Sequence, residues 1–391
     1  MTRPTPKRGF AQVEFEQRLE KAQARMREEQ VDLLFLTTEP ELRYFSGFLT
    51  QFWQSPTRPW FMLIPRTGKP VAVIPEIGMP VMARTWLDDI RTWSSPDPVD
   101  DGVGLLIETI AELTPSGARI GTMLGAETYL RMPLRDFDRL RTGLEAREFV
   151  DATDILSGLR MVKSEREIEK IAHICGIASD TFSKAGDLFQ EGQPLDEAFR
   201  AFKIACLGNG ADDVPYLVGA AGHGGYDDVI SPPSNDPICA GDVLMLDTGA
   251  VFDGYFCDFD RNFAISTASD QSRKLYDTLW LATEAGLSAA RPGATCAELF
   301  QAMQKVITKG GGADGSVGRL GHGLGMQLTE WPSHTLWDQT VLREGMVLTL
   351  EPSMSLGDGV MMVHEENIVI RDGAPELLSV RAPRELPVIG G

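Results

Sequence analysis

The segment Asp242-Val-Leu-Met-Leu-Asp-Thr-Gly-Ala-Val-Phe-Asp-Gly-Tyr-Phe-Cys-Asp-Phe-Asp-Arg-Asn-Phe263 constrains the fold more than any other part of the chain, because its pairing can be worked out by hand. Apolar runs flank Asp253-Gly254, and Asp-Gly between such runs is the strongest short signal for a two-residue type I′ hairpin turn. In that register Phe252 faces Tyr255, Gly249 faces Asp258 and Asp247 faces Asp260. Side chains alternate with period two along a strand, so Asp247, Asp258 and Asp260 share one face of the ribbon. Neighbours on one face lie within about 8 Å, and like charges there destabilise a sheet unless something positive sits among them. The simplest positive group is a metal ion. Gly249, opposite Asp258, is expected to leave room for it on that face.

A chain of 391 residues exceeds one ordinary core and predicts two domains. With 24% charged and 43% hydrophobic residues, the composition is that of a soluble globular protein. The net charge of -19 argues against nucleic acid or an anionic membrane surface as a partner, since both demand Lys/Arg-rich patches. A small anionic substrate is not excluded, because it meets only its pocket. No stretch approaches the roughly 18 to 20 apolar residues of a membrane span, and Met1-Thr-Arg-Pro-Thr-Pro-Lys-Arg8 is polar with no apolar segment behind it. The expected location is cytoplasmic. Cys175, Cys206, Cys239, Cys257 and Cys296 form no Cys-x-x-Cys pair, which fits a reducing compartment better than a disulfide or zinc framework.

Periodicity predicts an amphipathic helix over residues 12 to 30, a buried strand Val31-Asp-Leu-Leu-Phe-Leu36, and strands near 60–64, 70–74 and 119–123. These describe a smaller α/β N-terminal domain over residues 1–155. A second unit over 156–391 opens with Ser164 and an acidic first turn, which together form a helix N-cap signal. Helices expected at 165–187, 195–208, 271–290 and 296–309 alternate with antiparallel-looking strands, an α+β pattern.

Three further segments carry chemistry. Gly318-Arg-Leu-Gly-His-Gly-Leu-Gly325 is glycine-rich but lacks the Lys-Ser/Thr of a phosphate loop, and presents a lone His322. Glu344-Gly-Met-Val-Leu-Thr-Leu-Glu351-Pro352 is a strand ending in a carboxylate. Val360-Met-Met-Val-His-Glu365-Glu366-Asn-Ile-Val-Ile370 is an apolar strand interrupted by an acidic pair. Each polar residue alone reads as a turn, core or solvated group. Together, Asp247, Asp258, His322, Glu351 and Glu365 put ionisable groups where charge is costly unless paired. Four carboxylates and one imidazole carry a formal charge of about -4, which two divalent cations would neutralise.

These residues resemble a known set. Asp247-Thr-Gly, Gly254-Tyr and Asp258 with Arg261, then Gly321-His-Gly-Leu-Gly, Gly345-Met-Val-Leu-Thr-Leu-Glu-Pro352 and Glu365-Glu-Asn367 follow the ligand order of the creatinase, prolidase and methionine aminopeptidase superfamily of pita-bread enzymes. Leu42-Arg-Tyr-Phe-Ser-Gly-Phe48 and Leu159-Arg-Met-Val-Lys163 extend the resemblance to that superfamily's creatinase-type N-terminal domain and domain junction. The resemblance implies an α+β pita-bread catalytic domain and a dinuclear metallohydrolase of the Xaa-Pro dipeptidase or aminopeptidase type. Asp247 would chelate one ion, His322 and Glu351 the other, and Asp258 and Glu365 would bridge them. Glu351 would take a proton from the attacking water. Oxygen-rich ligation with one histidine favours Mn, Fe or Co over Zn.

The resemblance also exposes departures. Proline-directed peptidases of the family carry a histidine where this chain has Ile230, a second in a His-Glu-x-Pro segment that here reads Thr329-Glu-Trp-Pro332, and an arginine where Val363 stands. Those groups hold the scissile carbonyl, the leaving amine and the substrate end, so their loss removes transition-state stabilisation unless they are replaced. His223 and Glu330 are the candidate catalytic replacements, Trp331 and His334 candidate pocket walls, and Asp260 a candidate support behind the ligands. His364, next to Glu365, is expected on the opposite face of its strand. The segment from Gln51 to Trp60 resembles a loop that family homodimers send to the partner's active site, with Trp53, Trp60 and Arg58 as substrate contacts. Relatives with other pocket residues cleave creatine, open cyclic amidines such as ectoine, or eliminate dimethylsulfide from a zwitterion. A small-molecule or short-peptide substrate is therefore expected, with a non-peptidase enzyme as the alternative and a catalytically silent binding module as a third reading.

Overall fold

The computed structural model describes residues 4–312, 318–357 and 360–390; Met1 to Arg3 of the polar N-terminus lie outside the described residues. Two compact units emerge, Lys7–Arg160 and a second built from Met161 onward. The division falls a few residues later than the expected 155, because the helix Thr153–Met161 runs through that point on buried Ile155, Leu156 and Leu159.

In the first unit the strands are β1 (Leu33–Leu36), β2 (Phe61–Pro65), β3 (Val71–Pro75), β4 (Asp89–Trp93), β5 (Arg119–Thr122) and β6 (Glu148–Asp151). They form one mixed sheet in the order β4-β3-β2-β1-β5-β6. β1 is buried along its whole length, which is why it reads as a continuous apolar run rather than an alternating one. β4 and β6 escape the sequence reading because they are only partly buried and carry polar residues.

The second unit contains β7 (Asp213–His223), β8 (Asp242–Phe252), β9 (Tyr255–Phe256), β10 (Phe259–Ile265), β11 (His322–Gly323), β12 (Glu330–Ser333), β13 (Val347–Leu350), β14 (Ser353–Gly357), β15 (Val360–Val363), β16 (Glu366–Val369), β17 (Glu376–Leu377) and β18 (Val388–Ile389). One sheet runs β18-β10-β8-β7 with β9 paired to β8, and a second runs β12-β11-β13-β16-β17. The helices Asp270–Ala289 and Cys296–Lys309 contribute Leu275, Leu279 and Met303 to a core shared with Val243, Leu348 and Leu350 of the two sheets. The helix expected over 165–187 ends at Phe182, and its start carries the capping box read from Ser164 and Glu167. Among the described residues no helix is long and apolar enough to cross a membrane.

The hairpin has the register derived by hand: Phe252 pairs with Tyr255 and Asp247 with Asp260. Asp253 and Gly254 both have positive φ, 46° and 74°, as a type I′ turn requires. The returning arm breaks between β9 and β10, at Cys257-Asp258. Gly249 does not leave an opening for ions. A Cβ there would meet Leu328 Cδ1 at 2.3 Å and Tyr216 Cβ at 3.0 Å, so the missing side chain admits protein, not metal.

Candidate metal centre

Asp247 stands mid-strand on β8, Asp258 in the break before β10, His322 on β11, Glu351 just after β13, and Glu365 just before β16. Strand ends and a strand break let these side chains leave the ladders and converge. Ligand atoms of Asp258, His322 and Glu365 lie within 4.8 Å of one another, all three buried. His322 Nε2 is 3.4 Å from Asp258 Oδ2 and 4.0 Å from Glu351 Oε2. Asp247 and Glu351 are half-buried, so the cluster has an open side.

The electrostatics show what the cluster lacks. Burial first, and then neighbouring carboxylates, push Asp258 and Glu365 well above the usual carboxylate range. Burial raises Asp247 to about 7, and burial with the Asp247 charge raises Glu351 to about 8. Asp247 Oδ1 and Glu365 Oε1 are buried without a hydrogen-bond partner. A buried carboxylate oxygen with neither proton donor nor cation is costly, by several kcal/mol per ion. His322 has its pKa lowered to about 3 by burial, so the imidazole is neutral. Its Nδ1 lies 2.8 Å from the Gly323 carbonyl, which can only accept. The proton therefore sits on Nδ1, and the Nε2 lone pair faces the carboxylates. An oxygen-rich donor set with one imidazole lone pair and two orphaned oxygens fits divalent cations.

The hairpin and the Glu-Glu-Asn strand hold one another's ligands. Asp260 Oδ1 accepts the Glu365 amide at 2.6 Å, and Arg261 Nη1 donates to the Glu365 carbonyl at 2.9 Å. In return, Asn367 accepts the Asp258 amide at 2.9 Å and donates its own amide hydrogen to the Asp258 carbonyl. These contacts replace the ladder bonds lost at the strand break. Tyr216 of β7, which sequence reasoning missed, pairs with Gly249 of β8, two residues along from the Val218–Asp247 pair and so on the same face, and its phenol works against the rise that burial imposes on the Asp247 carboxyl. The signal for it was recoverable in principle, since Gly249 opposite a large aromatic marks a close approach.

Several expected site residues are elsewhere. His223 is exposed at the far end of β7 opposite Asp242, whereas Val218 is opposite Asp247; at ~3.3 Å per residue the separation is roughly 16 Å. Glu330 is locked in place: Oε2 pairs with Lys163 Nζ at 3.0 Å, and Oε1 accepts the amides of Met326 and Gln327. That is a structural brace, not a free acid or base. His334 is fully buried, donating from Nε2 to the Thr349 carbonyl at 3.0 Å, and so is not a pocket wall. Trp331 is half-exposed on β12. His364 does point away, with Nδ1 3.0 Å from Thr283 Oγ1 on the helix Asp270–Ala289. Of the expected departures, Ile230 is exposed and Val363 is buried in the core.

In the first unit, Trp60 is 1% exposed and packs on Phe48 and Trp53. It is a core residue and not a substrate contact. Trp53 and Arg58 are half-buried. Arg131 holds their loop, donating to the carbonyls of Phe52, Ser55, Thr57 and Arg58 and lying 5.0 Å from the Trp53 ring.

Residues 169–372 match the metallopeptidase family M24, and residues 18–162 match the creatinase/prolidase N-terminal domain. The chain belongs to metallopeptidase family M24. It is 30% identical over 243 residues to an Xaa-Pro dipeptidase of Pyrococcus furiosus, a match covering 61% of this chain and 69% of the relative. Its fold superposes on recombinant prolidase from Thermococcus sibiricus with a TM-score of 0.87, at 23% identity, over 97% of this chain and 100% of that one. Dipeptidase PepE from Mycobacterium ulcerans gives 0.85 at 24% identity, over 97% and 99%. This M24 protein therefore has the two-domain creatinase-type architecture with a pita-bread catalytic domain, and it is a metal-dependent hydrolase.

Proposed function

We propose that this M24 enzyme is a dinuclear dipeptidase that hydrolyses small Xaa-Pro dipeptides. The observation that carries the reading is the buried group of Asp258, His322 and Glu365, whose ligand atoms lie within 4.8 Å of one another with Glu351 4.0 Å from the neutral His322, together with the partnerless buried oxygens of Asp247 and Glu365. Asp247, Asp258, His322, Glu351 and Glu365 would hold two divalent ions, with Mn, Fe or Co favoured over Zn by the oxygen-rich set. When bound, such ions lower the pKa of water and polarise the attacked amide. Glu351 keeps 30% of its side chain exposed on the open side of the cluster, and we assign it the proton of the attacking water. Asp260, Arg261 and Asn367 fix the backbones of Glu365 and Asp258, so the ligands need little reorganisation. We also propose a cytoplasmic homodimer; sedimentation at a single monomer mass would remove the dimer.

The test is hydrolysis of Ala-Pro by protein reconstituted with Mn, abolished by Asp258→Ala. No turnover across a panel of Xaa-Pro dipeptides would defeat the reading. A second reading, a small non-peptide substrate, rests on Ile230, Thr329 and Val363 standing where proline-directed relatives carry histidine, histidine and arginine. Turnover of a guanidino, cyclic amidine or sulfonium compound in the absence of dipeptidase activity would favour it.

A further inference from the structure

The candidate ligands come from two different sheets. Asp247 and Asp258 belong to the β8–β10 hairpin, whereas His322, Glu351 and Glu365 lie on or beside strands of the β11-β13-β16 sheet, and among the described residues no ladder joins the two. Glu365 sits in the gap between β15, which ends at Val363, and β16, which begins at Glu366. Backbone groups in such a gap need other partners, and side chains of β10 supply them. Asp260 and Asn262 share one face of β10 by alternation. Asn262 Nδ2 donates to the Val363 carbonyl and to Asp260 Oδ2, each at 2.8 Å, and Asp260 Oδ1 accepts the Glu365 amide at 2.6 Å. The Val363 amide donates to the hydroxyl of Tyr226 at 2.6 Å. Tyr226 is 2% exposed and comes from the connection between β7 and β8. An isolated bridge to Met361 fixes its backbone: its amide donates to the Met361 carbonyl at 3.1 Å, and its carbonyl accepts the Met361 amide at 2.7 Å. The direction of the bonds then follows. An amide can only donate, so the hydroxyl accepts from Val363 and sends its single hydrogen to Asn262 Oδ1, at 3.1 Å. That orients the carboxamide, leaving both Nδ2 hydrogens for Val363 and Asp260.

We propose that Tyr226 is a positioning residue of the metal centre, pinning the seam between the two sheets and, through Asn262 and Asp260, setting where Glu365 stands relative to Asp258. The proposal rests on the metal-centre reading and is independent of the substrate. Because the hydroxyl acts through the chain Tyr226–Asn262–Asp260–Glu365, its removal weakens the metal site only as far as Asp260 is loosened by it.

The experiment is calorimetric titration of Mn into metal-stripped wild type, Tyr226→Phe, Asp260→Asn and the double variant. Tyr226→Phe keeps the ring and removes the hydroxyl, and should weaken Mn binding by about tenfold, as expected for groups that orient metal ligands. Asn262→Ala cuts the chain at its middle link and should do the same. On the Asp260→Asn background, Tyr226→Phe should cost less than about a further twofold, because the two act through one path. Tyr255→Phe is the control. Its buried hydroxyl donates to Glu167 at 2.9 Å in the same hairpin, so its loss should lower stability comparably while leaving Mn affinity within about twofold. Unchanged Mn affinity in Tyr226→Phe and Asn262→Ala, losses that multiply in the double variant, or an equal loss in Tyr255→Phe would overturn the positioning role while leaving the metal centre standing. Wild type that takes up no Mn would overturn the metal centre and this assignment with it.

Discussion

Glu365 and Glu366 are neighbours in the chain and both fully buried, yet they occupy opposite electrostatic surroundings. Alternation sends them to opposite sides of the strand. Glu366 meets Arg261 at 2.9 Å and Arg381 at 3.3 Å, and accepts from the Ser379 hydroxyl and the Ala382 amide. Although burial opposes it, these contacts hold its carboxyl below the usual range. For Glu365, burial is reinforced by the charges of Asp258, Glu351, Asp247 and Asp260, and its carboxyl is driven upward. One side of the strand is compensated within the chain; the other is built for a charge that the chain does not supply. Burial alone therefore does not distinguish structural from functional carboxylates in this protein. The identity of their neighbours does.

The comparison breaks first at Glu366. Glu366→Ala should destabilise the protein by about 3–5 kcal/mol, since it leaves Arg261 buried without its partner, whereas Glu365→Gln should leave the metal-free protein as stable as wild type or more so. Denaturant unfolding measures both, and similar losses at the two positions would erase the distinction.

The next largest effect is on pH dependence. Asp247 at about 7 and Glu351 at about 8 keep protons in the metal-free folded state that the unfolded chain has released by about pH 4. Raised carboxyl pKa values make stability fall as pH rises toward those values. His322, at about 3, acts in the opposite sense, but only below the pH where the unfolded chain's histidines become charged, about 6.5. Between about pH 6.5 and 8 the carboxylates therefore act alone. Thermal unfolding of metal-stripped protein should show stability falling through that window, and saturating Mn should remove the slope. A rise through the window would contradict the assignment.

Smaller effects sharpen the account. Asp260→Asn should weaken metal binding by about 10- to 100-fold by loosening the grip on the Glu365 backbone, read by calorimetric titration. Tyr216→Phe removes the phenol hydroxyl that helps keep the Asp247 carboxyl charged, and should weaken the same titration by only about two- to tenfold. Larger losses would mean that the hydroxyl organises more than one ligand.

The hairpin register, its turn and the capped helix at Ser164 were legible because each depends on neighbours in sequence or on strict alternation. Glu330 and His334 were misread because proximity to a Trp-Pro segment says nothing about direction. Glu330 is committed by Lys163, far away in the chain, and His334 by the carbonyl of Thr349. Gly249 was misread for a related reason: a missing side chain signals a close approach without naming what approaches, and here it is Leu328 and Tyr216. Trp60 followed the ordinary rule that large aromatics fill cores. That Asp258, His322 and Glu365 meet was legible because ionisable groups that interrupt apolar strands demand compensation wherever they fold.

Calorimetric titration of Mn into metal-stripped protein at pH 8 tests the central claim most directly. The account predicts two ions bound per chain, with proton release from the raised carboxyls, and loss of binding in Asp258→Asn. A protein that takes up no ion while remaining folded would contradict it.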